Sequence, residues 1–267
     1  MDPLVFTEVG EARGDVSPLN RGQVAIFSAR SPDKESPNED AAAVVPAAEH
    51  AAVLVVADGM GGSPAGQRAS ALAVEEMVAA LREAAPDEPN LRAAVLNGIE
   101  NANRAICELG VGAASTLAVA EVWGDTVRPY HVGDSMILVV GQRGKVKLQT
   151  VSHSPVGYAV EAGLVERKEA LFHEDLHLVS NLLGTPEMHI EMGPLLKLAP
   201  RDTVLVSSDG LTDNLHRDEI AGIIRKGPLA DANGRLARLA ASRMRDGDGP
   251  DPSKEDDLTV VLFRLAR

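Results

Sequence analysis

The chain has 267 residues, 45% of them hydrophobic but only 3% aromatic, which suits one large domain with a core of Val, Leu, Ile and Ala. With 39 acidic against 26 basic residues the net charge is −13, which argues against binding to nucleic acid or anionic lipid and favours cationic partners, metal ions included. Cys107 is the lone cysteine, and neither an apolar run of about 18 residues nor a basic-then-apolar start is present, so the expectation is a cytoplasmic protein in a reducing compartment, without membrane insertion.

In chain order, Asn38-Glu39-Asp40 follows Pro37 as a polar turn. The apolar run Val53 to Ala57 fits a buried strand and stops on Asp58-Gly59-Met60-Gly61-Gly62. Ser63 and Pro64 have the character of an N-cap and a first helical position, and Leu72, Val74, Met77, Val78 and Leu81 then recur at helical spacing until Pro86. Asn90 is expected to cap a second helix with the stripe Leu91, Val95, Ile99, Ala102, Ile106 and Leu109, stopped by Gly110. Cys107 falls within that helix and is expected as a small core residue. From Ser115 to Val151, short β-rich runs separated by Gly124-Asp125 and by Gly141 to Gly144 predict a strand meander. One of these runs ends on Gly133-Asp134-Ser135, and His153 beyond them reads as a polar loop residue. The run from Asp202 to Ser208 ends on Asp209-Gly210, a helix is expected near Gly234 to Arg245, and a surface loop over 246–253 leads to Asp256-Asp257 and the strand Leu258 to Phe263. A helix pair followed by a meander indicates antiparallel sheets with helices packed outside.

Acidic residues thus stand repeatedly at strand ends. An Asp followed by Gly offers hard oxygen ligands and a carbonyl that can approach the same cation, the ligand type that Mg²⁺ and Mn²⁺ prefer. If the last strand runs antiparallel to the one ending at Asp209, Asp256 lies beside Asp209 at one sheet edge, where Asp58 can join them. Clustered carboxylates repel and are usually held by divalent cations, and a pair of such ions suits phosphoryl chemistry.

Asn38-Glu39-Asp40, Asp58-Gly59-Met60-Gly61-Gly62, Gly133-Asp134-Ser135, Ser208-Asp209-Gly210-Leu211-Thr212-Asp213 and Asp256-Asp257-Leu258-Thr259 together resemble the motif series of PP2C-type (PPM) metal-dependent serine/threonine phosphatases, in the bacterial form. The resemblance spans nearly the whole chain. It implies an α+β fold, a four-layer α-β-β-α sandwich with two central antiparallel sheets, over a single domain 1–267 with a flap at approximately 155–180. It also implies two Mn²⁺ or Mg²⁺ ions, with a third as an option. Asp58 would bridge two metals, the Gly59 carbonyl would reach one, and Asp209 and Asp256 would hold the other. Glu39 and Asp40 would act through metal-bound water, and Asp134 would match the carboxylate supporting a third metal. A metal-bridging water would attack phosphorus in line, releasing the serine or threonine of a phosphoprotein substrate that a Ser/Thr kinase had modified.

Several positions depart from the pattern. Relatives usually place an Arg four residues before the Glu matching Glu39, where it clamps phosphate; here it is Glu35, with Lys34 adjacent as a point charge without the forked guanidinium geometry. The Asp of the usual Asp-His-Ser is Ser152, the Arg after Gly-Asp-Ser is Met136, and the Asp-Asn pair is Asp256-Asp257. Two readings follow: an active phosphatase, or a catalytically impaired scaffold that binds a phosphoprotein or kinase, favoured by Glu35. A nucleotide hydrolase is less consistent, because no phosphate-cradling loop precedes a Lys-Ser/Thr pair.

Overall fold

A computed structural model describes residues 2–7, 13–19, 21–60, 65–84, 88–245 and 249–266. Strands β1 (Leu4–Phe6), β2 (Arg13–Leu19), β3 (Gly22–Ala29), β4 (Asp40–Ala48) and β5 (Ala51–Met60) precede helices α1 (Ala65–Glu83) and α2 (Glu88–Glu108). Strands β6 (Ala114–Ser115), β7 (Leu117–Trp123), β8 (Thr126–Val132), β9 (Met136–Val140) and β10 (Val146–Gln149) lead to α3 (Pro155–Glu161) and α4 (Arg167–Ala170). Then come β11 (Glu191–Met192), β12 (Leu196–Lys197), β13 (Thr203–Ser207), α5 (Asp209–Thr212), α6 (Arg217–Ile224), α7 (Leu229–Arg245) and β14 (Leu258–Leu265).

The strands form two antiparallel sheets. One runs β1-β4-β5-β7-β8-β11, with β6 paired to β5 and β12 to β8; the other runs β10-β9-β13-β14-β3-β2. Alternation along single strands builds three apolar layers, one between the sheets and one on the outer face of each. In β5, Ala51, Val53, Val55 and Ala57 face α1 and α2, while Ala52, Leu54 and Val56 face the second sheet. In β14, Val261, Phe263 and Leu265 fill the space between sheets, and Leu258, Val260 and Leu262 pack under α5, α6 and α7. Both faces of these strands are covered, so they read as continuous apolar runs although their neighbours are antiparallel. Alanines at Ala41, Ala43, Ala69 and Ala73 occupy the layer under α1 and let helix and sheet approach closely. The result is the α-β-β-α sandwich. With Phe6, Tyr130 and Phe263 as its large buried aromatics, the core rests on aliphatic burial, worth roughly 1.5–3 kcal/mol per fully buried Val or Leu.

Four local expectations change. Asn90 lies inside α2 rather than capping it. Cys107 is exposed: its neighbour Ile106 takes the inward position, and one helical step of 100° carries Cys107 off the buried stripe. The stretch from Ser115 to Val151 is not one meander, because β7 and β8 belong to the first sheet and β9 and β10 to the second. The helix expected near Gly234 begins earlier, at Leu229. The cap assigned to Ser63 and Pro64 lies outside the described residues, as does 246–248 of the loop ahead of β14.

Candidate active site at the sheet edge

The antiparallel registers bring the acidic residues together. Asp40 begins β4 directly opposite Asp58 near the end of β5. In the other sheet Ser207, the last residue of β13, pairs with Val260 near the start of β14, so Asp209 and Asp256 extend from the same edge. Ser208 ties the two sheets: its hydroxyl donates to Asp40 Oδ2 at 2.7 Å and accepts from the Thr259 N–H at 3.0 Å.

Asp134 arrives by the crossing between sheets. Gly133 turns with φ +100°, and a Cβ there would stand 2.8 Å from the Thr116 side chain, so the turn needs glycine. Ser135 and Thr116 share a hydroxyl hydrogen bond of 2.7 Å, Thr116 Oγ1 accepts from the Asp58 N–H at 3.2 Å, and the Thr116 N–H donates to the Asp58 carbonyl at 2.8 Å. The Gly-Asp-Ser turn therefore holds the backbone that carries Asp58 as well as presenting Asp134.

Gly59 sits in a tight crossing with α1. A Cβ on Gly59 would lie 1.9 Å from the Gly66 carbonyl oxygen, and one on Gly66 would lie 2.4 Å from Glu39 Oε1 and 2.8 Å from the Gly59 carbonyl oxygen. The Glu39 carboxylate and Gly59 carbonyl thus face a common small space beside Asp58. Gly59→Ala is expected to destabilise the fold by about 3 kcal/mol through backbone overpacking and to weaken Mn²⁺ binding, read from urea unfolding with and without the ion; unchanged stability would contradict this crossing.

The electrostatics are strained without cations. Burial, then the Asp209 charge, pushes Asp58 well above the usual carboxylate range. The same two causes raise Asp213 well above that range and raise Asp134 and Asp256 to about 7. Burial and Asp257 raise Asp40 well above its ordinary value. Among the buried side-chain atoms, Asp40 Oδ1 and Asp209 Oδ1 have no hydrogen-bond partner. Unpartnered buried carboxylate oxygens facing like charges form a hard-donor set that fits Mg²⁺ or Mn²⁺.

Two ammonium groups stand among these acids. Lys34 Nζ donates to Glu39 Oε2 at 2.9 Å and to Asp257 Oδ2 at 2.6 Å. Asp257 is 2% exposed and also accepts from the N–H groups of Ser31 and Glu39, so Lys34 balances an otherwise unpaired buried charge. Lys254 contacts Asp209, Asp213 and Asp256. Burial alone would lower the pKa of Lys254, but these carboxylates outweigh it and raise it. Sequence reasoning assigned no role to Lys254, Asp213 or the Thr116–Ser135 pair; for Asp213 the signal was its spacing of four from Asp209 on one helical turn.

His153 is not a polar loop residue. It is 1% exposed and stacked on His131 with centroids 4.3 Å apart. Its Nδ1 accepts from the Gly133 N–H at 3.1 Å and from Asn181 Nδ2 at 2.8 Å, which places its proton on Nε2, facing Glu191 Oε2 at 3.1 Å. Burial holds its pKa below the ordinary value despite Glu191. The carboxylate missing at Ser152 is thus supplied from β11. His131, His153 and Glu191 have ligand atoms within 4.8 Å of one another, yet the protonated Nε2 makes this trio a brace behind the Gly133 turn. His173, at 38% exposure, and His177, also on the surface, hold local bonds at 173–177. Glu35 is exposed, and its backbone carbonyl accepts from Arg30 Nη1 at 3.3 Å.

A cleft of about 500 Å³ opens from Asp134, Asp209 and Asp213 and runs between α3–α4 and α5–α6, with Val156, Leu171, Leu215 and Ile220 among its apolar walls and Arg167, Lys168 and Arg217 at its margin. Among the described residues no helix is long and apolar enough to cross a membrane.

Comparison with known proteins agrees with this geometry. A profile described as protein phosphatase 2C matches residues 30–240. Protein phosphatase PhpP of Streptococcus pneumoniae is 32% identical over 197 residues, covering 70% of this chain and 79% of PhpP. The solved serine/threonine phosphatase of S. agalactiae superposes with TM-score 0.75 at 27% identity, over 98% of this chain and 99% of that one. The catalytic domain of serine/threonine protein phosphatase PstP, solved with two manganese ions, superposes with TM-score 0.70 at 26% identity, over 91% of this chain and 98% of that one.

Proposed function

The chain belongs to the protein phosphatase 2C family, and we propose that its acidic sheet edge holds the two Mn²⁺ or Mg²⁺ ions with which it hydrolyses phosphoserine and phosphothreonine in proteins. The observation that carries this reading is the convergence of Asp40, Asp58, Asp209 and Asp256 with unpartnered buried oxygens on Asp40 and Asp209. Bound there, the ions supply a water that is nucleophilic near neutral pH and offset charge on the phosphoryl group.

The chain's own residues then position the reaction. Asp58, the Gly59 carbonyl, Asp209 and Asp256 would hold the ions, with Glu39 and Asp40 supporting them through water. Asp134 belongs to the same charged set. Lys34 uses two of its three N–H donors on Glu39 and Asp257 and keeps one for a phosphoryl oxygen, partly replacing the guanidinium lost at Glu35. We assign the whole chain to one phosphatase domain, with 155–180 as its flap. The cleft beneath α3 and α4 receives the phosphoprotein, and the protein opposes a Ser/Thr kinase in a bacterial cytoplasm.

Hydrolysis of para-nitrophenyl phosphate and of a phosphothreonine peptide by the purified chain, with Mn²⁺ and with EDTA, tests this. Turnover with Mn²⁺ that EDTA removes is expected; no turnover despite bound Mn²⁺ would transfer the assignment to a phosphoprotein-binding scaffold. Glu35→Arg is expected to lower KM about tenfold, the worth of one charge-assisted pair to phosphate, with a smaller change in kcat. An unchanged KM would show that position 35 does not face the phosphate.

A further inference from the structure

Lys254 is a built cation. The amide of buried Asn214 holds its backbone from both sides: Oδ1 accepts from the Lys254 N–H at 2.9 Å, and Nδ2 donates to the Lys254 carbonyl at 2.9 Å. Asn214 Nδ2 also donates to the Gly210 carbonyl at 2.9 Å, so the anchor is part of the turn that presents Asp209. From this fixed base the ammonium reaches Asp209 Oδ2 at 2.8 Å, Asp213 Oδ2 at 2.8 Å and Asp256 Oδ2 at 3.2 Å. Two of its N–H groups donate hydrogen bonds, to Asp209 and Asp213, and Asp256 completes an ion-pair cluster around it.

Asp209 and Asp213 face the same cleft as Asp134, so these three form the oxygen set open to a third divalent ion. An ammonium and a divalent ion cannot share Asp209 Oδ2 and Asp213 Oδ2, so Lys254 closes that position by contact, while Asp209 Oδ1, which has no hydrogen-bond partner, stays open to one of the two ions. We propose that Lys254 is a tethered cation standing in for a third metal, so that part of the charge on Asp209 and Asp213 is offset from within the chain and the loaded centre takes two divalent ions. This rests on the two-metal reading above. It gives the protein a catalytic centre whose third cation does not depend on metal concentration.

Counting Mn²⁺ bound at saturation, by the electron paramagnetic resonance signal of free Mn²⁺ and by elemental analysis of the desalted full-length protein, tests it. Two ions are expected in the wild type, and one more in Lys254→Gln, lost again in Lys254→Gln/Asp213→Asn. Asp213→Asn alone is expected to leave the count at two, because Lys254 already excludes an ion there; this variant decides the matter if Lys254→Gln does not fold. Equal counts in wild type and Lys254→Gln, or loss of an ion in Asp213→Asn alone, would overturn the proposal and leave the two-metal centre standing. A wild-type chain that binds no Mn²⁺ would overturn both.

Discussion

Asp209→Asn is expected to reduce Mn²⁺-dependent hydrolysis of the phosphothreonine peptide by about 10³-fold, since removing one carboxylate that holds the ions forfeits roughly 4 kcal/mol of the charge stabilisation they provide. The same substitution is expected to stabilise the protein in EDTA. Asp209 is the charge that most raises Asp58, Asp134, Asp213 and Asp256 after burial, so a neutral isostere relieves four neighbours at once. Asn keeps the shape of Asp at the start of α5, and the Asp209 carbonyl still accepts from the Asp213 N–H at 2.8 Å. Loss of activity with a gain in metal-free stability separates a functional carboxylate from a structural one. Activity within tenfold of wild type, or a variant less stable in EDTA, would remove Asp209 from the centre.

The acidic strand ends were legible because they depend on short-range facts. A buried run ending at Asp209 and another starting after Asp256 bring those residues together once the two are antiparallel neighbours, as β13 and β14 are. The sheet to which each strand belongs was not legible, because alternation of period two says which side is buried and not which sheet covers it. The chain leaves one sheet and enters the other at Gly133 within a single turn, which sequence spacing reads as an ordinary hairpin. Long-range pairing hid the rest. His153 finds Glu191 across 38 positions and Lys254 finds Asp209 across 45, and neither separation leaves a local pattern. Cys107 shows the opposite limit: its helix was legible, but one residue of phase decides between core and surface.

Metal removal is the second large effect, and its pH dependence has a definite sign. Asp134 and Asp256 titrate at about 7 in the folded chain, against about 3.9 when unfolded. Between about pH 4 and pH 7 the folded state therefore holds protons that the unfolded state has released, and metal-free stability falls as pH rises through that window. Below about 4 both states are protonated and the slope vanishes. Asp58, Asp40 and Asp213, also raised, act in the same direction, while the Lys254 ammonium opposes them without matching their number. In EDTA the melting temperature is expected to be higher at pH 5.5 than at pH 8. Mn²⁺ competes for the same oxygens as protons, so its effect is expected to grow over that range. At a hundred times its dissociation constant each ion adds about 2.7 kcal/mol, or roughly 5–10 °C for a chain of this size. Differential scanning calorimetry at both pH values, with EDTA and with Mn²⁺, reads all four states. A metal-free protein that gains stability from pH 5.5 to pH 8 would show that the carboxylates are already compensated within the chain, and the demand for divalent ions at this sheet edge would lose its physical basis.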